Sequence, residues 1–448
     1  MHRIKKIVPQ SIKNLYHLAQ ALTANVIYGF PSRKIKVIGI TGTDGKTTTA
    51  QMIAGILQEA GKKVALASTI NFVINGVEEK NLSHYTTESA FKLQKFIRQA
   101  VGAGCEYLVL ETSSHALDQH RVWGVEYKAA VVTNVTREHL DYHETMEKYR
   151  AAKKRLFEVV EKNKGTVIVN LDMEKPKEFL NFKVNKKFAY TTNSENLDSL
   201  PTGRQADFRG NDKERVGMIK SDVEMIQAEN IRLGIAGSSY EIRNTKYEIH
   251  LPGGYNIENA LAASCVALGE GVGMETIKEA LAKIRGVAGR MEAIENDLGL
   301  HIFIDFALTP NALEKLYAGL SRAKKSGARI IAVFGSCGDR DKGKRPIMGE
   351  VVSRYTDIIV LTNDEPYHED PQQIIEEIAV GIKNKTENQN LFRIADRRLA
   401  IAKALELAKA DDIICITGMG NFETMVVGDE KIPWNDRKVV EEELAKIA

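Results

Sequence analysis

The chain of 448 residues is poor in cysteine. Its four, Cys105, Cys265, Cys337 and Cys415, stand far apart and form no C-x-x-C pair. That excludes a disulfide framework and the usual thiolate zinc motifs, and it points to a reducing cytoplasm. No apolar run is long enough to span a bilayer, and no signal-peptide pattern is evident. Acidic residues are missing from residues 1–36, which hold seven Lys/Arg; the remainder carries 55 Lys/Arg against 59 Asp/Glu, within an overall net charge of +3. By charge, the bulk of the chain is not a nucleic-acid binder. What is left is an ordinary globular composition with length for two or three domains.

The stretch Val37–Ala50 organises the rest. An apolar run, Val37 to Ile40, reads as a buried strand. Thr41-Gly-Thr-Asp-Gly-Lys46-Thr47 then turns the chain, and Ile53, Ile56, Leu57 and Ala60 recur at helical spacing. Strand, glycine turn and helix N-terminus make a phosphate cradle, because backbone N–H groups and the helix dipole both face the anion. Thr41, Gly42, Thr43, Asp44, Gly45, Lys46, Thr47 and Thr48 are the candidate contacts. Lys46 would reach the β/γ-phosphates, and the Thr47 hydroxyl would meet Mg²⁺. The P-loop pattern is imperfect: Ile40 holds its first glycine position, and Gly39 sits one residue early.

Before this stretch, residues 9–28 read as an amphipathic helix with Ile12, Leu15, Tyr16, Ala19, Leu22 and Val26 on one face. The bland expectation is that this face docks on the domain behind it. The sharper one is a peripheral membrane contact through residues 1–28, with Arg3, Lys5, Lys6 and Lys13 facing anionic lipid at the inner face of the membrane.

After it, strands alternate with helices. Val64–Ser68, Tyr107–Leu110, Ala129–Thr133 and Thr166–Asn170 read as strands, and a hairpin is expected at Asn75-Gly76. This is the pattern of an α/β, doubly wound, mostly parallel sheet. Glu111 closes one strand beside the P-loop strand, where a Mg²⁺-handling carboxylate belongs. Residues 190–250 read as a β-rich excursion. The pattern resets near Gly286–Arg290, and a second α/β unit follows. Its strands end in Asp305, in Gly335–Lys342, in Asn363-Asp-Glu-Pro-Tyr367 and in Gly418-Met-Gly-Asn421. We expect a basic N-terminal helix over 1–35, an ATP-binding domain over 36–288 and a Rossmann-like domain over 289–448. A P-loop with Glu111 and His139, and with no evident water-activating device, implies an ATP-using transferase or ligase.

Several blocks resemble the Mur ligases, in particular their UDP-N-acetylmuramoyl-tripeptide synthetase branch. They are Gly42-Thr-Asp-Gly-Lys-Thr-Thr-Thr49, Glu111-Thr-Ser-Ser-His-Ala-Leu, Thr133-Asn-Val-Thr-Arg-Glu-His-Leu-Asp-Tyr-His143, Ala151-Ala-Lys-Lys-Arg-Leu-Phe157, Gly289-Arg-Met-Glu292 and Gly338-Asp-Arg-Asp-Lys-Gly-Lys-Arg-Pro346. The resemblance implies that ATP phosphorylates a substrate carboxylate and an amino acid's amine displaces the phosphate, within peptidoglycan precursor synthesis. It implies that Lys46, Glu111, His139 and Lys153 are catalytic. Thr47 and Glu111 would hold one Mg²⁺; Lys153, carbamylated, with His139 nearby, would hold a second. Carbamylation turns a cation into the oxygen ligand Mg²⁺ prefers. Asn256, Asn259, Arg290 and Asp305 would contact ATP. Thr86, Thr87, Ser113, Gln119 and Arg121 would hold the muramoyl peptide. Arg340, Asp364, Glu365, Tyr367, Gly418 and Glu423 would surround the incoming amino acid.

The chain departs from that pattern in four places. The branch's UDP-gripping N-terminal domain is not evident ahead of the P-loop. Asp364-Glu365-Pro366-Tyr367 stands where the diaminopimelate-adding branch has Asp-Asn-Pro-Arg. Tyr367 cannot hold a distal carboxylate as arginine does, and Glu365, Glu369 and Asp370 favour a distal amine or a neutral side chain, hence lysine or ornithine over diaminopimelate. Leu308 replaces a histidine in Phe306-Ala-Leu-Thr-Pro310. Gly418-Met-Gly-Asn-Phe-Glu423 replaces Gly-Lys-Gly-His-Glu. The alternatives are a Mur-type ligase on another carrier (lipid-linked muramoyl, pseudomurein-type or polyglutamate-type) and a non-catalytic ATP-binding regulator.

Overall fold

The computed structural model describes residues 9–193, 195–196 and 222–447. Two sheets stand one after the other along the chain. The first has nine strands: β1 (Lys36–Thr41), β2 (Val64–Ala67), β3 (Asn71–Ile74), β4 (Val77–Lys80), β5 (Tyr107–Glu111), β6 (Tyr127–Val132), β7 (Thr166–Asn170), β8 (Lys186–Thr191) and β9 (Val223–Gln227), in the order β4-β3-β2-β5-β1-β6-β7-β8-β9. All neighbours are parallel except the edge hairpin β2–β3–β4. Its turn at Asn75-Gly76 has positive φ at both residues, as a tight hairpin requires. β1 lies between β5 and β6, so the sheet order reverses at its carboxyl end, the usual ligand crevice of such sheets.

The β-branched run of β1 is buried on both faces, and this is why the sequence shows no alternation there. Gly39 is required inside it: a Cβ would sit 2.7 Å from the Tyr127 ring and 2.8 Å from Leu156. One face of the sheet packs on helices Lys46–Glu59, Gly254–Gly269 and Met274–Lys283; the other packs on Ala90–Gly102 and Met146–Lys162. Each fully buried Ile or Leu in these layers is worth about 1.5–3 kcal/mol.

The small sheet β10 (Glu229–Gly234), β11 (Gly237–Ile242) and β12 (Thr245–Ile249) extends the β-rich excursion. Residues 197–221 of that excursion lie outside the described residues, as do Arg3, Lys5 and Lys6. The second large sheet comprises β13 (Glu292–Ile294), β14 (His301–Asp305), β15 (Ile330–Phe334), β16 (Ile358–Leu361), β17 (Leu391–Arg393) and β18 (Ile413–Thr417), in the order β13-β14-β18-β15-β16-β17. Only β13 runs antiparallel. Strands β19 (Thr424–Val427) and β20 (Glu430–Pro433) form a hairpin beyond it. Among the described residues no helix is long and apolar enough to cross a membrane.

The N-terminal helix, Gln10–Tyr28, docks by the opposite face from the one expected. Ala21, Ala24 and Asn25 are buried, packed beside Ala90. Ile12, Leu15, Tyr16, Ala19, Leu22 and Val26 face outward. The inward face is small enough for close packing and is fixed by asparagines: Asn25 Nδ2 donates to the Ala21 and Trp123 carbonyls, and Asn14 Nδ2 to Asp118.

Candidate functional site

A cleft of about 410 Å³ opens where the carboxyl ends of the two large sheets face each other. One wall is the turn after β1. Gly45 takes φ +82° and caps the helix Lys46–Glu59, and any Cβ there would meet Asn259 Oδ1 at 2.4 Å. Asn259 is fixed in turn, accepting from Thr49 Oγ1 and donating to Asn256 Oδ1. Asp44 N donates to Asn134 Oδ1, and Thr133 Oγ1 donates to the Asp44 carbonyl at 2.6 Å. The cradle is thus held from the end of β6 and from the helix Gly254–Gly269. Lys46 Nζ donates to the carbonyls of Gly42 and Thr43.

Glu111 is fully buried and accepts three hydrogen bonds: from Thr69 N (3.0 Å), Thr69 Oγ1 (2.9 Å) and Thr47 Oγ1 (3.2 Å). Burial pushes its carboxyl up, while Lys46 and the Thr69 donors oppose the shift. The hydroxyl and carboxylate oxygens of Thr47 and Glu111 are the hard donors Mg²⁺ takes, and the helix N-terminus with Lys46 suits a polyphosphate. Among the described residues no three His, Cys, Asp or Glu are arranged to hold a metal unaided.

Lys153 lies behind the loop rather than on the cleft wall. It is buried, donates to the Gly42 carbonyl at 2.6 Å and sits 4.3 Å from the Tyr149 ring centre. Burial first, and Lys46 second, hold its amine well below the ordinary lysine value. His139, with φ +57°, reaches the same region; its ring lies 6.0 Å from Tyr149 and 4.7 Å from His115. Burial keeps all three neighbouring imidazoles neutral: His115 falls to about 3, His143 to about 4 and His139 well below its usual value.

Arg290 crosses from the loop before β13 and donates to Thr47 Oγ1 at 3.3 Å, its guanidinium 4.5 Å from the Phe306 ring centre. Asp305 anchors that loop by accepting from Met291 N and Ala307 N. Thr309 Oγ1 reaches Asp44 Oδ2 at 3.5 Å, and buried Lys344 lies 3.4 Å from Glu138.

The expected substrate residues divide. Thr86, Ser113, Gln119, Arg121, Arg340, Glu365, Tyr367 and Gly418 line the cleft. Thr87 is a buried bracket instead: its hydroxyl donates to the Glu111 carbonyl, and its carbonyl accepts from Arg121. Thr41 is buried at the end of β1. Asp364 is buried behind the wall, and Glu423 pairs with Lys80 at 2.5 Å. Glu369 and Asp370 do not supply the negative field expected of them. Glu369 holds Arg345 and Lys342, which draw its carboxyl down to about 2, and Asp370 caps the helix Pro371–Ala379. Only Glu365 of that acidic group faces the cleft.

Sequence reasoning missed His84. It takes φ +61°, stacks on Phe422 at 4.0 Å, meets Thr424 Oγ1 at 3.0 Å and lies 3.4 Å from Glu365. Its only signal was adjacency to Thr86. Thr69 was legible in principle, since it follows β2 at the same carboxyl edge as Glu111.

A family model described as "Mur ligase middle domain" matches residues 40–267, and one described as "Mur ligase, glutamate ligase domain" matches residues 289–420. The UDP-N-acetylmuramoyl-L-alanyl-D-glutamate–2,6-diaminopimelate ligase of Clostridium botulinum is 37% identical over 437 residues, covering 96% of this chain and 82% of that protein. The UDP-N-acetylmuramyl-tripeptide synthetase of a Roseiflexus species is 35% identical over 447 residues, with 96% and 82% covered. A solved UDP-N-acetylmuramoyl-L-alanyl-D-glutamate–2,6-diaminopimelate ligase superposes with TM-score 0.58 at 28% identity, covering 92% of this chain and 79% of that one. A pseudomurein peptide ligase type C from Methanothermus fervidus gives TM-score 0.62 at 20% identity over 93% and 79%, a likeness of fold alone.

Proposed function

Since the chain belongs to the Mur ligase family, we propose that it is an ATP-dependent ligase joining an amino acid to a muramoyl-peptide carboxylate in peptidoglycan precursor synthesis. The observation that carries this reading is the hydrogen bond from Arg290 to Thr47. It puts a cation from beside the second sheet onto the phosphate cradle of the first, so closing the cleft completes the site. ATP, when bound with Mg²⁺, supplies the phosphoryl group that activates the carboxylate for attack by the amine.

The chain's own residues do the rest. Gly42–Thr48 and Lys46 hold the phosphates, Thr47 and Glu111 offer oxygens to the metal, and Arg290 faces the charge that develops there. Asn256 and Asn259 brace the cradle beside the nucleotide. Lys153, whose amine burial holds well below the ordinary lysine value, would take up carbon dioxide as a carbamate with release of one proton and so offer oxygens to a second Mg²⁺ near His139. Loss of an isotope-labelled carbamate signal in Lys153→Ala would test that step apart from turnover. Thr86, Ser113, Gln119 and Arg121 orient the muramoyl peptide. Glu365, with Tyr367 and Arg340 beside it, meets the amino acid's side chain and favours the distal amine of lysine or ornithine over diaminopimelate. A cytoplasmic reaction and a division at residues 36–288 and 289–448 belong to the same reading; the second large sheet begins at Glu292.

The test is ADP release by the purified chain with a UDP-muramoyl dipeptide and a panel of amino acids. The reading predicts release that requires both substrates, fastest with lysine or ornithine. Amino-acid-independent hydrolysis, or none with any muramoyl carrier, would overturn it.

A further inference from the structure

Behind the amino-acid wall lies an ion pair that the proposed reaction does not use. Arg397 opens the helix Arg397–Leu407 and Asp436 opens the helix Asp436–Ile447; their side chains are 1% and 0% exposed. The pair is bidentate: Arg397 Nε donates to Asp436 Oδ1 at 2.8 Å, and Nη2 to Oδ2 at 2.7 Å. The same guanidinium also holds backbone. Nη2 donates to the Thr417 carbonyl at 2.9 Å, and Nη1 to the Asn363 carbonyl at 3.1 Å. Thr417 ends β18 and is followed by Gly418; Asn363 lies just after β16 and is followed by Asp364 and Glu365. Asp436 extends the tie, accepting from Trp434 Nε1 at 2.9 Å, while Trp434 N donates to the Glu423 carbonyl at 3.0 Å.

We propose that Arg397 is a positioning residue for the amino-acid wall: its fork sets the separation of the loops after β16 and β18, and Asp436 sets the direction of the fork. The inference rests on the reading of this cleft as that of an amino-acid ligase. Sheet pairing alone does not fix the separation, because β15 lies between β16 and β18. The tolerance is small. Gly418 has φ +108°, and a Cβ there would stand 2.5 Å from Asp364 Oδ2. A shift of either loop therefore moves Gly418, Glu365 and Tyr367, all of which line the cleft. Lysine could not replace this arginine. An ammonium keeps the charge, but it lacks the planar fork that serves both carboxylate oxygens and both carbonyls at once. Nor is stability a sufficient role, since desolvation offsets most of the attraction in a buried ion pair.

The experiment compares the full chain with Arg397→Lys in two measurements. In steady-state ADP release, a merely structural loss lowers the active fraction and hence the apparent kcat, leaving every KM alone. A displaced wall instead raises KM for the amino acid by about tenfold and leaves KM for ATP and for the muramoyl carrier within about twofold. Hydrogen exchange without substrates needs no turnover. It should quicken in peptides covering residues 363–367 and 418–428 and stay unchanged over Gly42–Thr49. The double variant Arg397→Gln, Asp436→Asn leaves no buried charge unpaired; it should show the same pattern and serves if Arg397→Lys does not fold. An unchanged amino-acid KM, or a rise in all three KM values together, would overturn the proposal. So would exchange that quickens evenly over residues 289–448 or not at all in the two loops. A parent chain without amino-acid-dependent ADP release would sink the proposed reaction instead, and exchange in the two loops would then decide by itself whether Arg397 holds them.

Discussion

Glu111 and Asp364 occupy equivalent places in the two walls of the cleft. Glu111 ends the buried parallel strand β5, Asp364 lies just after the buried parallel strand β16, and each is almost wholly shielded from water. Their surroundings differ. Glu111 has three donors, two from Thr69 and one from Thr47. Asp364 has the Cys337 thiol at 3.9 Å as its side-chain contact, and its Oδ1 has no hydrogen-bond partner among the described residues. A carboxylate with fixed donors is ready to serve as an oxygen ligand before any substrate arrives. One with an orphan oxygen keeps its charge only at a cost. The first wall is therefore preorganised as the proposed phosphate and metal site requires, whereas the second carries a buried carboxylate without fixed donors.

The largest effect should come from the organised wall. Lys46→Ala removes the cation proposed to reach the phosphates and leaves the cradle's backbone intact. We expect kcat/KM to fall about a thousandfold, with the thermal midpoint little changed, since Lys46 bonds only to carbonyls of its own turn. A loss below tenfold, measured as substrate-dependent ADP release, would mean that the two walls do not divide the work in this way.

The second wall should show itself in stability. Burial pushes Asp364 from the ordinary value of 3.8 up to about 7. Between those values the folded protein holds a proton that the unfolded chain has released. Stability from this group is therefore greatest at low pH and declines as pH rises through that window; above about pH 7 the full cost of the buried charge is present. Asp364→Asn removes the titration. The difference in unfolding free energy between variant and parent should grow by about 2 kcal/mol from pH 5 to pH 8, at roughly 1.4 kcal/mol per unit less relaxation. A difference flat with pH would show that Asp364 is solvated or paired in solution.

The same contrast decides what could be read from the sequence. The P-loop, Glu111 and the alternating strands were legible because a phosphate cradle uses consecutive residues and the sheet edge collects strand ends by rule. Helix Gln10–Tyr28 was legible as a helix, but its docking face was not. Periodicity finds an apolar stripe without saying whether it points inward, and here two alanines packed beside Ala90 and one hydrogen-bonded asparagine took the inward face. Glu369 failed for a related reason: a carboxylate near a motif looks like a ligand group until Arg345 and Lys342 are seen to hold it. His84 could not be found at all, because its partners lie more than two hundred residues away in the chain.

A smaller effect is expected at Glu365. Its carboxylate accepts weakly from Val426 N and Tyr367 OH and faces the cleft. Glu365→Gln keeps the shape and removes the charge. If the second wall selects a distal amine, KM for lysine or ornithine should rise about twentyfold, near the lower range for a charge-assisted hydrogen bond, with kcat little altered. An unchanged ratio of lysine to diaminopimelate turnover would place the selecting charge elsewhere, with Arg340 the next residue to examine.

The smallest effect should come from His84, which belongs to one wall and touches only the other. Its ring lies flat on Phe422 and meets Thr424 and Glu365, so it gains these contacts only when the two walls are together. In His84→Ala that closed state loses a stack and a hydrogen bond, about 1 kcal/mol in all, and KM for the amino acid should rise about fivefold. His84→Phe keeps the stack and loses the polar contact, and it should recover part of the loss. Equal KM values for parent, alanine and phenylalanine variants would mean that closure is carried by the other contacts across the cleft, among them Arg290–Thr47, Thr309–Asp44, Lys344–Glu138 and Lys80–Glu423. The ring would then be a passenger on the amino-acid wall rather than a clasp across the cleft.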